Sequence, residues 1–182
     1  FFRSTSKDNV LNYTILKNAY QAIALQNLAS NNPVPKLILN ECVIDNGYDA
    51  GIIAFNSSIR ARNCLISNCG KNLYLVQGGN YQFTHCTVAT YSSNFIDHKD
   101  PVLTLSDFAN NNSNILDAQF RNCIFWGENK KGDSSEVVIQ KRGSNTFNVT
   151  FAHSLWKVFG TPANINTPVA MITNQPRFDS IN

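Results

Sequence analysis

The chain has few charged residues and few of the motifs that usually carry chemistry. Charged side chains make up 15% of its 182 residues, well below the quarter that is typical of soluble proteins. The net charge is +3 and no basic block occurs, so we expect no nucleic-acid partner. No apolar run reaches the length of a membrane span, which predicts that this fragment has no transmembrane segment.

Metal motifs and targeting signals are also missing. The five cysteines include no Cys-x-x-Cys pair, and no histidine pair lies near them, so no zinc template fits. We therefore predict no metal site and no cofactor. The sequence contains no signal peptide, but it opens at Phe1 in sequence that is already patterned. We interpret residues 1–182 as a single domain that is a fragment of a longer protein.

What the chain does contain is an excess of asparagine and an internal repeat. Asparagine occurs 26 times, which favours many turns because this residue tolerates left-handed backbone conformations. The aligned segments are NECVIDN (40–46), RNCLISN (62–68), THCTVAT (84–90) and RNCIFWG (121–127), with degenerate copies at NYTILKN (12–18) and AHSLWKV (152–158). One position of this alignment is always small, and its occupants are Thr14, Cys42, Cys64, Cys86, Cys123 and Ser154.

Apolar and polar residues alternate around the small position with a period of two, which predicts short strands with one buried face. A one-residue corner separates the first strand of each unit from the second. The corner residues are Glu41, Asn63, His85, Asn122 and His153. A third apolar segment follows each copy, at 22–25, 51–55, 72–76, 101–105, 136–140 and 168–172.

Such units cannot bury their apolar faces alone and have to stack. We therefore predict an all-β fold, a right-handed parallel β-helix solenoid with about six coils of three short strands. Cys42, Cys64, Cys86 and Cys123 are expected to form an inward ladder of free thiols, which behave as small hydrophobes. Asn63 and Asn122 are expected in left-handed geometry, with their amides bonding along the stack. Cys69 lies outside the ladder, and we expect a partly exposed thiol there.

The 22-residue step with its x-Asn-Cys-x-Ile-x-Asn core resembles the pectate-lyase-like superfold, over about residues 9–172. The repeats are also similar to those of β-helix proteins that Bacteroidetes-type bacteria secrete or attach to their surface. This resemblance implies a secreted or cell-surface location and a substrate groove on the outer face of the third-strand sheet. The outward residues of that face should be Ala24, Gln26, Ile53, Phe55, Tyr74, Val76, Thr104, Ser106, Val138 and Gln140.

Pectate lyases hold calcium on this face with aspartates and use an arginine as base. The corresponding positions here include no Asp, Glu or Arg, whereas calcium needs several oxygen ligands. No pair of aspartates of the polygalacturonase type occurs either. Both activities are therefore disfavoured, and the sequence offers no ligand cluster for calcium.

The loops and two aromatic residues remain as candidate sites. Loops 91–101 and 127–136 should be stacked neighbours, and their Asp97, His98, Asp100 and Glu128 are the catalytic candidates. Solvation of a charge-rich loop is the alternative. Phe55 and Tyr74, with Tyr91, are the candidates for sugar stacking because aromatic faces are large and amphipathic. A loop that covers them is the alternative.

Three functions stay open at this point. The first is a non-catalytic surface module that binds polysaccharide or serves as a scaffold, which the missing acidic cluster favours. The second is a polysaccharide lyase or glycoside hydrolase that uses the two loops. The third is an adhesin-like module that binds protein through its ends or an apolar outer face. The oligomeric state is not predicted.

Overall fold

The computed structural model describes residues 1–28, 34–91, 96–128 and 135–176. These residues form 17 strands, and no helix among them could cross a membrane. The architecture is all-β, as predicted. Every pairing between these strands is parallel except for one short antiparallel hairpin, which joins Phe108–Ala109 to Asn112–Ser113.

The strands, in chain order, are β1 (Asn9–Asn12), β2 (Ile15–Lys17), β3 (Gln21–Gln26), β4 (Leu37–Asn40), β5 (Val43–Asp45), β6 (Ala50–Arg62), β7 (Leu65–Ser67), β8 (Lys71–Thr84), β9 (Thr87–Thr90), β10 (Leu103–Ser106), β11 (Phe108–Ala109), β12 (Asn112–Ser113), β13 (Leu116–Arg121), β14 (Ile124–Gly127), β15 (Val137–Gln140), β16 (Phe147–Ala152) and β17 (Leu155–Trp156).

All strands except the hairpin belong to three groups that follow one another along the chain. The first group is β1, β4, the end of β6, the end of β8, β13 and β16. The second is β2, β5, β7, β9, β14 and β17. The third is β3, the start of β6, the start of β8, β10 and β15. Each group pairs in register, so equivalent residues of successive units are neighbours.

Two strands are longer than the predicted three-strand unit allows. β6 and β8 each run from the third group into the first, and the two groups therefore form one nine-stranded sheet. The pairing register shifts between Phe55 and Ser57, where Asn56 takes a left-handed φ of 45°. A bulge of this kind bends a strand without ending it. The prediction of separate short strands is wrong for these two units.

The prediction of a third strand at 168–172 is also wrong. Val169 forms a parallel bridge with Ala152, and Ile172 forms one with Leu155. These partners belong to β16 and β17, so this segment repeats the first two strands of a unit. Ala170 lies at the corner with a φ of 50°. Alternating apolar residues fit both a third-group strand and the first two strands of a unit. An alanine at the corner, unlike an asparagine, does not indicate a turn.

Left-handed residues mark the corners between the groups. The first corner is left-handed in each of the six aligned units, with φ between 51° and 54° at Tyr13, Glu41, Asn63, His85, Asn122 and His153. A second corner has Asn18, Asn46 and Asn68, with φ of 57°, 56° and 52°. The corner N–H groups bond to the next unit, as when Asn63 N donates to Thr84 O at 3.1 Å. Asparagine suits these positions because its strain in this conformation is small.

The second group forms a six-stranded sheet. The apolar core lies between this sheet and the nine-stranded one and contains stacks of like residues. Phe120 stacks on Phe83 and Phe151, with ring centroids 5.6 Å and 4.7 Å apart. Tyr81 is also fully buried. Its hydroxyl donates to Gly78 O at 3.0 Å and accepts from Ser57 N at 3.3 Å. Gly79 has a φ of 127° and packs so closely on Ser57 and Tyr81 that no Cβ fits there.

Candidate functional site

The predicted catalytic residues do not form one open cluster. His98 is buried, and its Nε2 lies 2.9 Å and 3.1 Å from the two carboxylate oxygens of Glu136. Both side chains have no exposed surface, and the Cβ-free Gly127 packs directly against them. Val102 N donates to Glu136 Oε2 at 3.2 Å. A buried pair of this kind does not suit a general base, which has to reach a substrate.

The other three candidates make different contacts. Asp97 is half-exposed and lies 3.6 Å from Lys99 Nζ. Asp100 is also half-exposed and lies 4.0 Å from Lys71 Nζ. Glu128 is held through its backbone N, which donates to Thr90 O at 2.9 Å. The described parts of loops 91–101 and 127–136 therefore meet through the contact of His98 with Glu136.

No group of three or more His, Cys, Asp or Glu side chains within the described ranges could hold a metal ion. Two other buried charged groups hold backbone in place. Lys36 Nζ donates to Arg3 O at 3.0 Å and Ser4 O at 3.3 Å, and burial lowers its pKa. Asp107 accepts from Arg142 N at 2.8 Å and Gly143 N at 2.9 Å.

The predicted sugar-stacking residues lie at different places. Phe55 and Tyr74 are half-buried and pack over Ala24 and Ile53, which are 8% and 9% exposed. Their rings thus cover the outer face of the third group and are only partly free. Phe55 also borders a cleft of about 410 Å³ that is otherwise lined by side-chain amides, at Gln26, Asn27, Gln77, Asn110 and Asn112. Tyr91 is exposed and is held by a bond from its N to Asn68 Oδ1 at 3.1 Å.

A different aromatic pair is the most exposed candidate site. Tyr20 and Tyr48 stack with ring centroids 5.8 Å apart and planes at 28°. Their exposed fractions are 67% and 68%, which is high for side chains that usually bury a large apolar surface. The backbone places them at equivalent positions, because Tyr48 N donates to Ala19 O at 2.8 Å. Both follow a left-handed asparagine, Asn18 or Asn46, by two residues.

The third equivalent position has no side chain. Gly70 N donates to Gly47 O at 3.0 Å, so Gly70 follows Tyr48 in the stack as Tyr48 follows Tyr20. A Cβ on Gly70 would lie 2.5 Å from Tyr48 O and 2.8 Å from Asp49 O, a distance that real Cβ atoms do not tolerate. The tyrosine stack therefore ends at Tyr48.

Asp49 is an extra residue in its unit. Asp49 N and Ala50 N both donate to Tyr20 O, at 2.8 Å and 3.3 Å, so two residues oppose one as in a bulge. Its carboxylate accepts from Lys71 Nζ at 2.8 Å and from Gln21 Nε2 at 2.7 Å. The hydrogen bond from Lys71 is the main reason that the pKa of Asp49 is lowered, and the same bond raises the pKa of Lys71.

These residues line a cleft of about 400 Å³, which we call the tyrosine cleft. Its lining consists of Tyr20, Tyr48, Asp49, Gly70, Lys71, Ile96, Asp97, Lys99 and Asp100. An adjoining cleft of about 660 Å³ borders the same rings on the side of Asn18 and Asn46. The volume of the tyrosine cleft falls within the range of small-ligand sites. The catalytic candidates Asp97 and Asp100 thus line this cleft, whereas His98 is not among its lining residues.

The tyrosine pair had a sequence signal that the repeat alignment did not use. Tyr20 and Tyr48 each lie six residues after the small position, at Thr14 and Cys42. The matching residue after Cys64 is Gly70, so the aromatic position is not maintained through the units. Extending the alignment past the second strand would have found the pair.

The cysteines lie in the interior. All five are free and buried. Four of them follow one another in register, since Leu65 N donates to Cys42 O, Thr87 N to Cys64 O and Ile124 N to Cys86 O, each at 2.9 Å. Cys69 is only 1% exposed, so the prediction of a partly exposed thiol is wrong. Its Sγ accepts from Gly47 N at 3.2 Å and donates to Ser67 O at 3.0 Å.

The corner side chains show one bond along the stack. Asn122 Nδ2 lies 2.7 Å from His85 Nε2, between neighbouring units. Asn63 and Asn122 are not neighbours because His85 lies between them. The amide contacts occur instead at the second corner, where Asn46 Nδ2 donates to Asn18 Oδ1 at 3.4 Å.

Comparison of the chain with known family models, with curated proteins and with solved structures finds no match. The geometry of the described residues therefore has to carry any functional conclusion.

Proposed function

We propose that the chain is a carbohydrate-binding module with the architecture of a right-handed parallel β-helix, located outside the cell or on its surface. Three groups of in-register parallel strands, joined by left-handed corners, support the architecture. The resemblance of the repeats to secreted and surface β-helix proteins of Bacteroidetes-type bacteria supports the location. The scaffold role and the binding role are compatible, since the stacked units would present the site.

The stacked and exposed pair of Tyr20 and Tyr48 carries the binding proposal. An exposed aromatic pair leaves apolar surface in water, where its burial against a ligand is favourable at roughly 25 cal/mol per Å². A sugar ring presents C–H groups on its faces and hydroxyls at its rim. The tyrosine rings match the faces, and Asp49 and Lys71 offer hydrogen-bonding groups for the rim.

Binding without turnover is favoured over a lyase or hydrolase for a specific reason. The only histidine in the candidate loops, His98, has no exposed surface and is engaged by Glu136. The half-exposed Asp97 and Asp100 are each close to a lysine ammonium.

Affinity electrophoresis against immobilised polysaccharides tests the proposal. The panel would contain neutral polymers (xyloglucan, galactomannan and mixed-linkage glucan) and acidic ones (polygalacturonate and alginate), with and without calcium. We expect retardation by at least one polymer and no release of sugar products. Y48A should lose the retardation, whereas Y91A, which changes an exposed tyrosine outside the tyrosine cleft, should keep it.

Two outcomes would count against the proposal. If no polymer retards the migration of the chain, the proposed binding function is wrong. Release of unsaturated or reducing products would favour the enzyme hypothesis, above all if D97A or H98A abolished it.

A further inference from the structure

We propose that the tyrosine cleft binds one ring of a neutral sugar, which continues the Tyr20–Tyr48 stack into the position that Gly70 leaves empty. This inference rests on the proposed carbohydrate-binding function and names the residue that makes the contact and the class of sugar. It assigns different roles to two tyrosines that look equivalent in the sequence.

The backbone register sets the order of the stack. Tyr20, Tyr48 and Gly70 occupy equivalent positions on three consecutive units. Since the two rings are stacked, one face of Tyr48 is turned to Tyr20. The opposite face of Tyr48 is on the side of Gly70, where no side chain follows. Tyr48 therefore turns this face toward the tyrosine cleft, which Ile96 also lines, and Tyr20 is stacked on its other face.

The backbone itself excludes a side chain at position 70. The extra residue Asp49 brings the carbonyl oxygens of Tyr48 and Asp49 close to Gly70, so that any Cβ there would clash. Position 70 itself can therefore carry no side chain, and Ile96 is the one aliphatic side chain of the described residues that lines the cleft beside the tyrosines. The remaining space, about 400 Å³, is at the small end of the range for ligand sites and is suited to a single ring.

The charges of the cleft favour a neutral ligand. Each ammonium group in the lining already lies near a carboxylate, Lys71 at 2.8 Å from Asp49 and Lys99 at 3.6 Å from Asp97. Lys71 is also 4.0 Å from Asp100. With three aspartates and two lysines in the lining, a sugar carboxylate would bring another negative charge beside Asp97 and Asp100. Hydroxyl groups can bond to these paired charges without displacing them.

The experiment compares the two tyrosines and two charge states of one polymer. The probe is the neutral polysaccharide that retards the chain most strongly in the panel, together with the same polymer after oxidation of its primary alcohols to carboxylates. Dissociation constants would be measured by calorimetry. We expect Y48A to weaken binding to the neutral polymer by roughly tenfold or more, as for a central aromatic contact. Y20A should weaken it by roughly threefold or less, and the oxidised polymer should bind the wild-type chain more weakly than the neutral one.

Y48F and the thermal melting curve serve as controls. Y48F keeps the ring and should retain most of the affinity, and Y48A should melt near the wild-type temperature because Tyr48 is exposed. Equal losses for Y20A and Y48A would overturn the inference, as would tighter binding of the oxidised polymer. If only acidic polymers bind, the proposed function stands and this inference fails. If none binds, both fail.

Discussion

Two stacks of side chains in this molecule are built by the same register but end differently. The inner stack is occupied in each of six units by a small residue, Thr14, Cys42, Cys64, Cys86, Cys123 or Ser154. The outer stack has Tyr20 and Tyr48 and is then interrupted by Gly70. The inner position is limited by the volume between the sheets, whereas the outer position faces solvent. The comparison shows that the tyrosine cleft lies where the outer stack is interrupted.

The largest expected effect comes from removing an inner ring. F120A would leave a cavity between Phe83, Phe151 and Phe125, whose rings all lie within 5.6 Å of that of Phe120. We expect a loss of about 3–5 kcal/mol in the free energy of unfolding, because a buried aromatic residue seldom leaves a site that can collapse. Urea unfolding followed by fluorescence measures it. A loss below about 1 kcal/mol would mean that the stack is loosely packed.

A smaller effect is expected from enlarging the inner position. C86L inserts a bulkier side chain between Cys64 and Cys123, and we expect a loss of about 1–3 kcal/mol because overpacking forces strain on neighbouring units. The matched change in the outer stack, Y48L, should stay within about 0.5 kcal/mol because the site is exposed. The same unfolding assay compares both variants. Similar losses for the two would contradict the distinction between the stacks.

The smallest effect is a dependence of stability on alkaline pH. Burial raises the pKa of the Cys69 thiol from 9.0 to about 11. Cys86 is raised to about 12, with its hydrogen bond to Cys123 as the main cause. A raised thiol pKa means that the folded state keeps the thiol proton up to a higher pH than the unfolded state does. The contribution to stability is complete below pH 9.0 and declines as the pH rises toward 11.

C69A tests this pH dependence. The free energy of unfolding of the wild-type chain should fall more steeply between pH 9 and pH 11 than that of C69A, since the variant lacks one of the thiols that titrate. Unfolding curves at closely spaced pH values would show the difference in slope. Parallel slopes would mean that Cys69 ionises equally in both states.

The all-β class and the parallel pairing could be predicted because they depend on alternation and on repeated small residues. Inward residues such as Ile59, Ala61 and Ile66 are buried as the period of two requires. The boundaries of β6 and β8 could not be predicted in this way. Asn56 and Gln77, with left-handed φ of 45° and 68°, bend β6 and β8 without ending them, and the alternation of apolar and polar residues does not show this.

The candidate site was predicted less well than the strands. Tyr20 and Tyr48 are separated by 28 residues, and their contact depends on the register of two successive units, in which Tyr48 N donates to Ala19 O. The burial of His98 depends on Glu136, which is 38 residues away. Neither contact follows from local patterning. Phe55 and Tyr74 were correctly placed on one face, but the sequence does not reveal how far their rings cover it.

The extra residue Asp49 also shows how the insertion or deletion of one residue can alter this surface. Its presence lengthens one turn by a single residue and forces glycine at position 70. We expect its deletion to shorten the turn between Cys42 and the third group to the length found in the neighbouring units, and to free position 70 for a third aromatic side chain. The presence of a cleft on this surface would then be controlled by an insertion or deletion in a turn. Diversification of the site would not require any change in the residues that contact a ligand.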